Sequence, residues 1–172
     1  QKGEGVWRRA LAGMQPVALP LARPPAEEQM QEIALPAGST SPRLAAATLA
    51  WALLSTGETA GSIALCLPEV TAAPLGLTSA WVPLTATLDD TPATLTALAE
   101  QTLTKALTTG GFATDLPARA PEIASYQEPS LALCLDGAKP PQGAHLALIQ
   151  VGDTLTLRST RLSQQALSLL AT

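Results

Sequence analysis

The sequence has no asparagine, one histidine, one phenylalanine, one tyrosine, three lysines and two cysteines. With a lone histidine, no C-x-x-C pair and no metal-ligand spacing, neither a metal site nor any other cofactor is expected. Charged residues make up 14% of the chain, against a usual ~25%. So poorly charged a surface is expected to be partly covered in its natural setting, unless threonine and alanine simply take the place of charge. The net charge of −4 comes without acidic or basic blocks, so neither nucleic acid nor an anionic membrane is an expected partner. There is no signal peptide and no apolar run of membrane-spanning length, which predicts a cytoplasmic location. A chain that begins at Gln1 rather than methionine reads as a piece of a longer polypeptide or as one freed of a tag by cleavage.

What is present is a hydrophobic fraction of 47% over 172 residues, enough for one domain with a real core. The stretch from Leu77 to Gly111 carries the strongest local pattern. Ala80 to Leu88 alternates as a half-buried strand, with Trp81, Pro83, Thr85 and Thr87 on one side. Asp89 or Asp90 can cap the helix that follows, with Thr91-Pro92 opening its first turn. Leu95, Leu98, Ala99, Leu103, Ala106 and Leu107 recur at helical spacing, and Gly110-Gly111 stops the helix. This strand and helix are expected to form the centre of the fold.

Before them, Val6 to Ala12 reads as a short helix ended by Gly13, and Met14 to Pro25 as a proline-rich connector lying on a surface. Gln31 to Leu35 is a strand candidate. A helix to about Leu54 follows, capped from Ser39, Thr40 or Ser41, so apolar that it should be buried on more than one side, with Trp51 in the core. Ser62 to Leu67 and Ser130 to Leu135 are continuous apolar runs of strand length. They hold Cys66 and Cys134, expected as reduced core thiols rather than a disulfide. Pro68 to Gly76 and Phe112 to Pro129 read as loops, the second with one helical turn near Leu116 to Ala120. Ala144 to Val151 and Thr154 to Thr160 form a hairpin about Gly152-Asp153. Ser163 caps a last helix that should bury Ala166, Leu167, Leu169 and Leu170. The expected fold class is α/β (α+β), a two-layer sandwich with a mixed sheet. Residues 1–31 form an N-terminal helix and connector, and residues 32–172 a single domain.

At this level of pattern the chain resembles the C-terminal lobe of a nonribosomal peptide synthetase condensation domain, of the chloramphenicol acetyltransferase-like fold. Trp7 to Gly13 with the proline-rich run to Pro25 is similar to that family's inter-lobe connector. Residues 44–57 are similar to its buried helix ending in glycine. Trp81 to Asp89 with Thr91 to Ala106 is similar to the strand and helix after its crossover, and Asp153 to Leu170 to its closing strand and helix. The family's catalytic signature, two adjacent histidines followed by a spaced Asp-Gly, is not matched, because His145 stands between Ala144 and Leu146. The aromatic-glycine motif usual in the C-terminal lobe is also missing.

No catalytic residue is expected. His145 has no local nucleophile or orienting group. Asp89, Asp90 and Asp115 suit caps and turns, Asp136-Gly137 suits a turn, and no serine sits in a G-x-S-x-G elbow. Gly110-Gly111 precedes Phe112 rather than a helix start, so it is not a phosphate loop. Trp7, Arg8, Arg9 and Arg23 are candidate interface residues, a docking strip enriched in the types found at protein contacts. The alternative is that Trp7 pins the connector to its own lobe. The resemblance then implies an inactive, truncated condensation domain of a synthetase starter module, one that packs on and stabilises an adjacent adenylation domain, with a carrier protein as a second partner. Two other readings stand beside it. The chain is half of an active acyltransferase whose histidine-bearing lobe lies elsewhere, or a module whose uncovered face drives self-association.

Overall fold

Thr91, not either aspartate before it, opens the longest helix: its Oγ1 accepts from the Thr94 N–H at 3.2 Å, and Pro92 occupies the first turn. Asp90 is taken by the preceding turn, where one carboxylate oxygen accepts from both the N–H and the hydroxyl of Thr87 at 3.0 Å. The shift follows from geometry, since the cap must sit just before the proline and in extended backbone. Thr91→Ala is expected to cost about 1 kcal/mol, measured as a lower midpoint in urea with an unchanged slope.

The computed structural model describes residues 3–19, 27–71, 77–123 and 126–171. In chain order these hold α1 (Glu4–Ala12), β1 (Gln29–Ala34), α2 (Ser41–Thr56), β2 (Ala60–Cys66), the one-turn α3 (Pro68–Thr71), β3 (Trp81–Thr87) and α4 (Pro92–Thr109). The short α5 (Leu116–Arg119) and a 3₁₀ turn (Pro121–Ile123) follow, then β4 (Leu131–Cys134), β5 (Leu146–Val151), β6 (Thr154–Ser159) and α6 (Gln164–Leu170). The six strands form one mixed sheet in the order β1-β6-β5-β4-β2-β3. β4 runs parallel to β2 and to β5, and the other neighbours are antiparallel. The architecture is α/β, as the pattern of elements implied.

The middle of the sheet differs from the expectation. β3 is an edge strand, where Pro83 with no N–H is tolerated, and α4 packs beside it on α2. The centre is β5, β4 and β2, and every residue of β4 is buried. A parallel strand covered on both faces reads as an unbroken apolar run, so its sequence is short and without period. β3 is also more buried than alternation implied: Trp81, Val82, Pro83 and Leu84 are all buried. Val82 and Leu84 share a face with Ile63 and Leu65 by register. On the opposite face Trp81 meets Phe112 edge-on at 5.1 Å and Tyr126 stacked at 6.2 Å.

α2 packs on both the sheet and α4, in keeping with its apolar circumference. Trp51, however, is only partly buried, at the margin of the core. α6 starts at Ser163 as expected, its Oγ accepting from the Ala166 N–H at 3.3 Å. Only Leu167 of its four apolar residues is buried, and Leu169 is 70% exposed. The reason is length: seven residues make two turns, and a single row of such a helix reaches the sheet.

Residues 14–17 are more than a surface connector. Ser62 donates its N–H to Gln15 O at 2.7 Å, Val17 returns a bond to Ser62 O at 3.1 Å, and Val17 is 1% exposed. β1 begins at Gln29, so the boundary expected after residue 31 falls inside a strand. Residues 20–25 of the proline-rich run lie outside the described residues.

Candidate functional site

Three of the four candidate interface residues are described, and Trp7 does not stand at the surface with Arg8 and Arg9. Trp7 is 2% exposed, and its indole N–H donates to Gly110 O at 3.0 Å. The last turn of α4 therefore holds α1, and the indole offers a partner no surface. Arg8 forms a two-pronged ion pair with Glu122, its second nitrogen 3.1 Å from Oε2. Glu122 in turn raises the Arg8 guanidinium and is itself held below the usual carboxylate range by that guanidinium. Arg9 is exposed and donates back to Gly5 O at 3.2 Å within α1. Arg23 lies outside the described residues.

The structure brings together further residues that no sequence pattern joins. Arg119 pairs with Asp115 at 2.8 Å and with Glu4 at 3.0 Å. Together with Arg8 and Glu122 this lines up five charges across α1, α5 and the 3₁₀ turn. Positions more than 110 residues apart carry no periodic signal, and only the i, i+4 spacing of Asp115 and Arg119 could have been read in advance. These pairs are exposed and orient the helices more than they stabilise them.

The remaining candidates take structural positions. His145 stands just before β5, its N–H bonded to Ser130 O and its carbonyl to the Ser159 hydroxyl, both at 2.6 Å. Asp136 and Gly137 both have positive φ, at 49° and 74°, and form the turn after β4. Gly110 has φ 71° and ends α4. Among the described residues no group of three His, Cys, Asp or Glu side chains could hold a metal ion, and no helix is long and apolar enough to cross a membrane.

Cys66 and Cys134 are free, buried and directly opposed on the parallel strands β2 and β4. The hydrogen bond from Cys134 and then burial push the Cys66 thiol well above its ordinary value of 9.0. Both sulfurs are buried out of a reagent's reach, and the Cys66 thiol also resists conversion to the nucleophilic thiolate. Ellman's reagent at pH 8 is expected to find no reactive thiol until denaturant unfolds the chain; rapid reaction of the native protein would contradict this. Burial and then Glu128 also push Tyr126 up to about 12 from 10.0. Both groups hold their protons longer folded than unfolded, so stability is fully present below pH ~9 and falls as pH rises through 9–12. A series of urea melts from pH 7 to 11 checks the sign.

The geometry so far is that of a packed lobe whose ionisable groups serve turns, caps and helix docking. Solved structures with this geometry exist. A starter condensation domain of rhizomide synthetase RzmA, a double mutant in complex with C8-CoA, matches with a TM-score of 0.66 and 14% identity over 97% of this chain and 48% of that one. A single-mutant form of the same domain gives 0.66 and 15% over 97% and 49%. A structure described as CT gives 0.64 and 16% over 97% and 47%. No family model matches the sequence, and no curated protein does. The chain therefore has the fold of about half a condensation domain, and spans about half the length of the structures it matches.

Proposed function

We propose that this chain is a non-catalytic condensation-type lobe of a nonribosomal peptide synthetase, serving as a structural platform for a neighbouring adenylation domain. The observation that carries the reading is the pairing of a half-condensation fold with a sequence in which the family's two-histidine signature does not occur. Condensation chemistry in that family needs a general base near the attacking amine, and a base needs an orienting partner. His145 is the one histidine here, and it stands between Ala144 and Leu146 with no second histidine beside it.

The coverage of 48% also favours a second reading, in which a histidine-bearing lobe completes an acyltransferase. One assay separates the two. The chain is incubated with donor- and acceptor-loaded carrier proteins, alone and with a histidine-bearing condensation lobe supplied in trans. The platform reading expects no amide product in either arm. Product in the second arm would replace it with the acyltransferase reading, and product from the chain alone would overturn both.

A further inference from the structure

The two edges of the sheet, β1 and β3, are finished differently. Leu88 N–H donates to Thr59 O at 2.7 Å, so the residues of β3 that turn their backbone groups outward are Trp81, Pro83, Thr85 and Thr87. Ser79 takes both groups of Trp81, its hydroxyl donating to Trp81 O at 2.9 Å and accepting from the N–H at 3.2 Å. Pro83 has no N–H, and Thr87 N–H donates to the Asp90 carboxylate at 3.0 Å. An edge with so few open donors resists a further strand.

The β1 edge keeps its donors. Leu35 N–H donates to Asp153 O at 2.8 Å, so Gln29, Gln31 and Ile33 bond to β6 while Met30, Glu32 and Ala34 turn their backbone away from it. Among the described residues the outward N–H groups of Met30, Glu32 and Ala34 have no partner. Two outward carbonyls are met by glutamine amides, Gln164 Nε2 donating to Met30 O and Gln31 Nε2 to Glu32 O, both at 3.1 Å. These exposed side chains stand where the N–H groups of an added strand would donate. The charge here has one sign: Glu27, Glu28 and Glu32 are exposed, and no lysine or arginine falls between Glu27 and Pro42. Glu28 pairs with Arg158 at 2.7 Å, but Glu27 and Glu32 have no ion pair among the described residues. Gln31 bonds to Gln164 and Ser168 of α6, so Glu32 lies on the sheet face away from that helix. A second copy of this chain would bring two acidic edges together, and like charges set opposite each other repel. We infer that β1 takes an extended basic segment of a partner protein as an antiparallel strand, with lysine or arginine at alternate positions across from Glu32. The inference does not rest on the platform reading.

The probe is an end-blocked peptide of about seven residues, the length of a typical strand, alternating lysine and threonine. In an antiparallel pair the residue across from Glu32 both faces its side chain and exchanges backbone bonds with it. N-methylation of the lysines is therefore expected to weaken binding at least about tenfold, whereas N-methylation of the threonines leaves it unchanged. Glu32→Lys, an exposed substitution, is expected to weaken binding about fivefold or more. Amide hydrogen exchange in the complex should slow at Met30, Glu32 and Ala34 and stay as it was at Gln31 and Ile33. Equal affinity of the two methylated peptides, or of the native chain and Glu32→Lys, would mean loose electrostatic adsorption and would overturn the proposal. So would unchanged exchange at Met30, Glu32 and Ala34. Exchange there that already slows as the free chain is concentrated would give the edge to a second copy, and would overturn it too.

Discussion

Gly111→Ala is expected to destabilise the domain by about 3 kcal/mol or more, although it adds a single methyl group. A Cβ at this position would lie 2.3 Å from Ser79 O and 2.9 Å from Val70 Cγ1. The first of these is backbone, and it cannot swing aside. Ser79 is fixed on both sides, its N–H bonded to Phe112 O at 2.6 Å and its hydroxyl donating to Trp81 O at 2.9 Å. Relief therefore has to move either the start of β3 or the exit of α4. At the scale of ~2–4 °C per kcal/mol for a domain of this size, the melting temperature should fall by about 6–12 °C. Gly57→Ala, where a Cβ meets nothing within 4 Å and the backbone is left-handed at φ 71° and ψ 15°, should cost only about 1–2 kcal/mol. Equal effects at the two glycines would refute the close-approach argument.

The second large effect is expected at Trp81, where truncation to alanine should cost about 3–5 kcal/mol. The ring is 3% exposed and is the common partner of Phe112 and Tyr126. Its loss opens a cavity between two aromatic rings that have no other aromatic partner among the described residues. Trp81→Phe keeps an apolar ring there, and by volume it should lose about half as much or less. Equilibrium unfolding of the pair, followed by far-UV circular dichroism to avoid the lost chromophore, reads both numbers. If Trp81→Ala costs under about 1 kcal/mol, the face opposite α2 is not part of the core.

The order of elements was legible because most carry their own punctuation. Pro92 after Thr91, Gly57 and Gly110 after apolar helices, Ser163 before α6 and Gly152 in the hairpin each mark a boundary by backbone chemistry alone. What was not legible was rank within the sheet. The stretch around Trp81 and α4 has the clearest alternation and the clearest helical face, which is why it reads as central. Clear periodicity, however, belongs to elements with one side left open, and β4, covered on both faces, shows only LALC. Trp51 shows the same limit from the other side. A helix apolar all round announces burial, but not which row meets the sheet and which stays at the margin of the core.

The site was less legible than the fold. The candidate strip rested on residue type at one end of the chain, and residue type does not say whether an indole faces out or in. Trp7 faces in because α4 ends with Gly110 O pointing at it, a contact across 103 residues. Arg8 is paired because Glu122 of the 3₁₀ turn arrives beside α1. Both depend on how α1 docks, which no local pattern encodes.

The platform account, which places an adenylation domain beside this lobe, is tested most directly by producing such a domain with and without these 172 residues. Soluble yield and amino-acid-dependent adenylate formation are compared at equal expression. The account predicts that removing the lobe lowers at least one of them severalfold, with restoration when the lobe is fused back. An adenylation domain equally soluble and equally active without it would contradict the account.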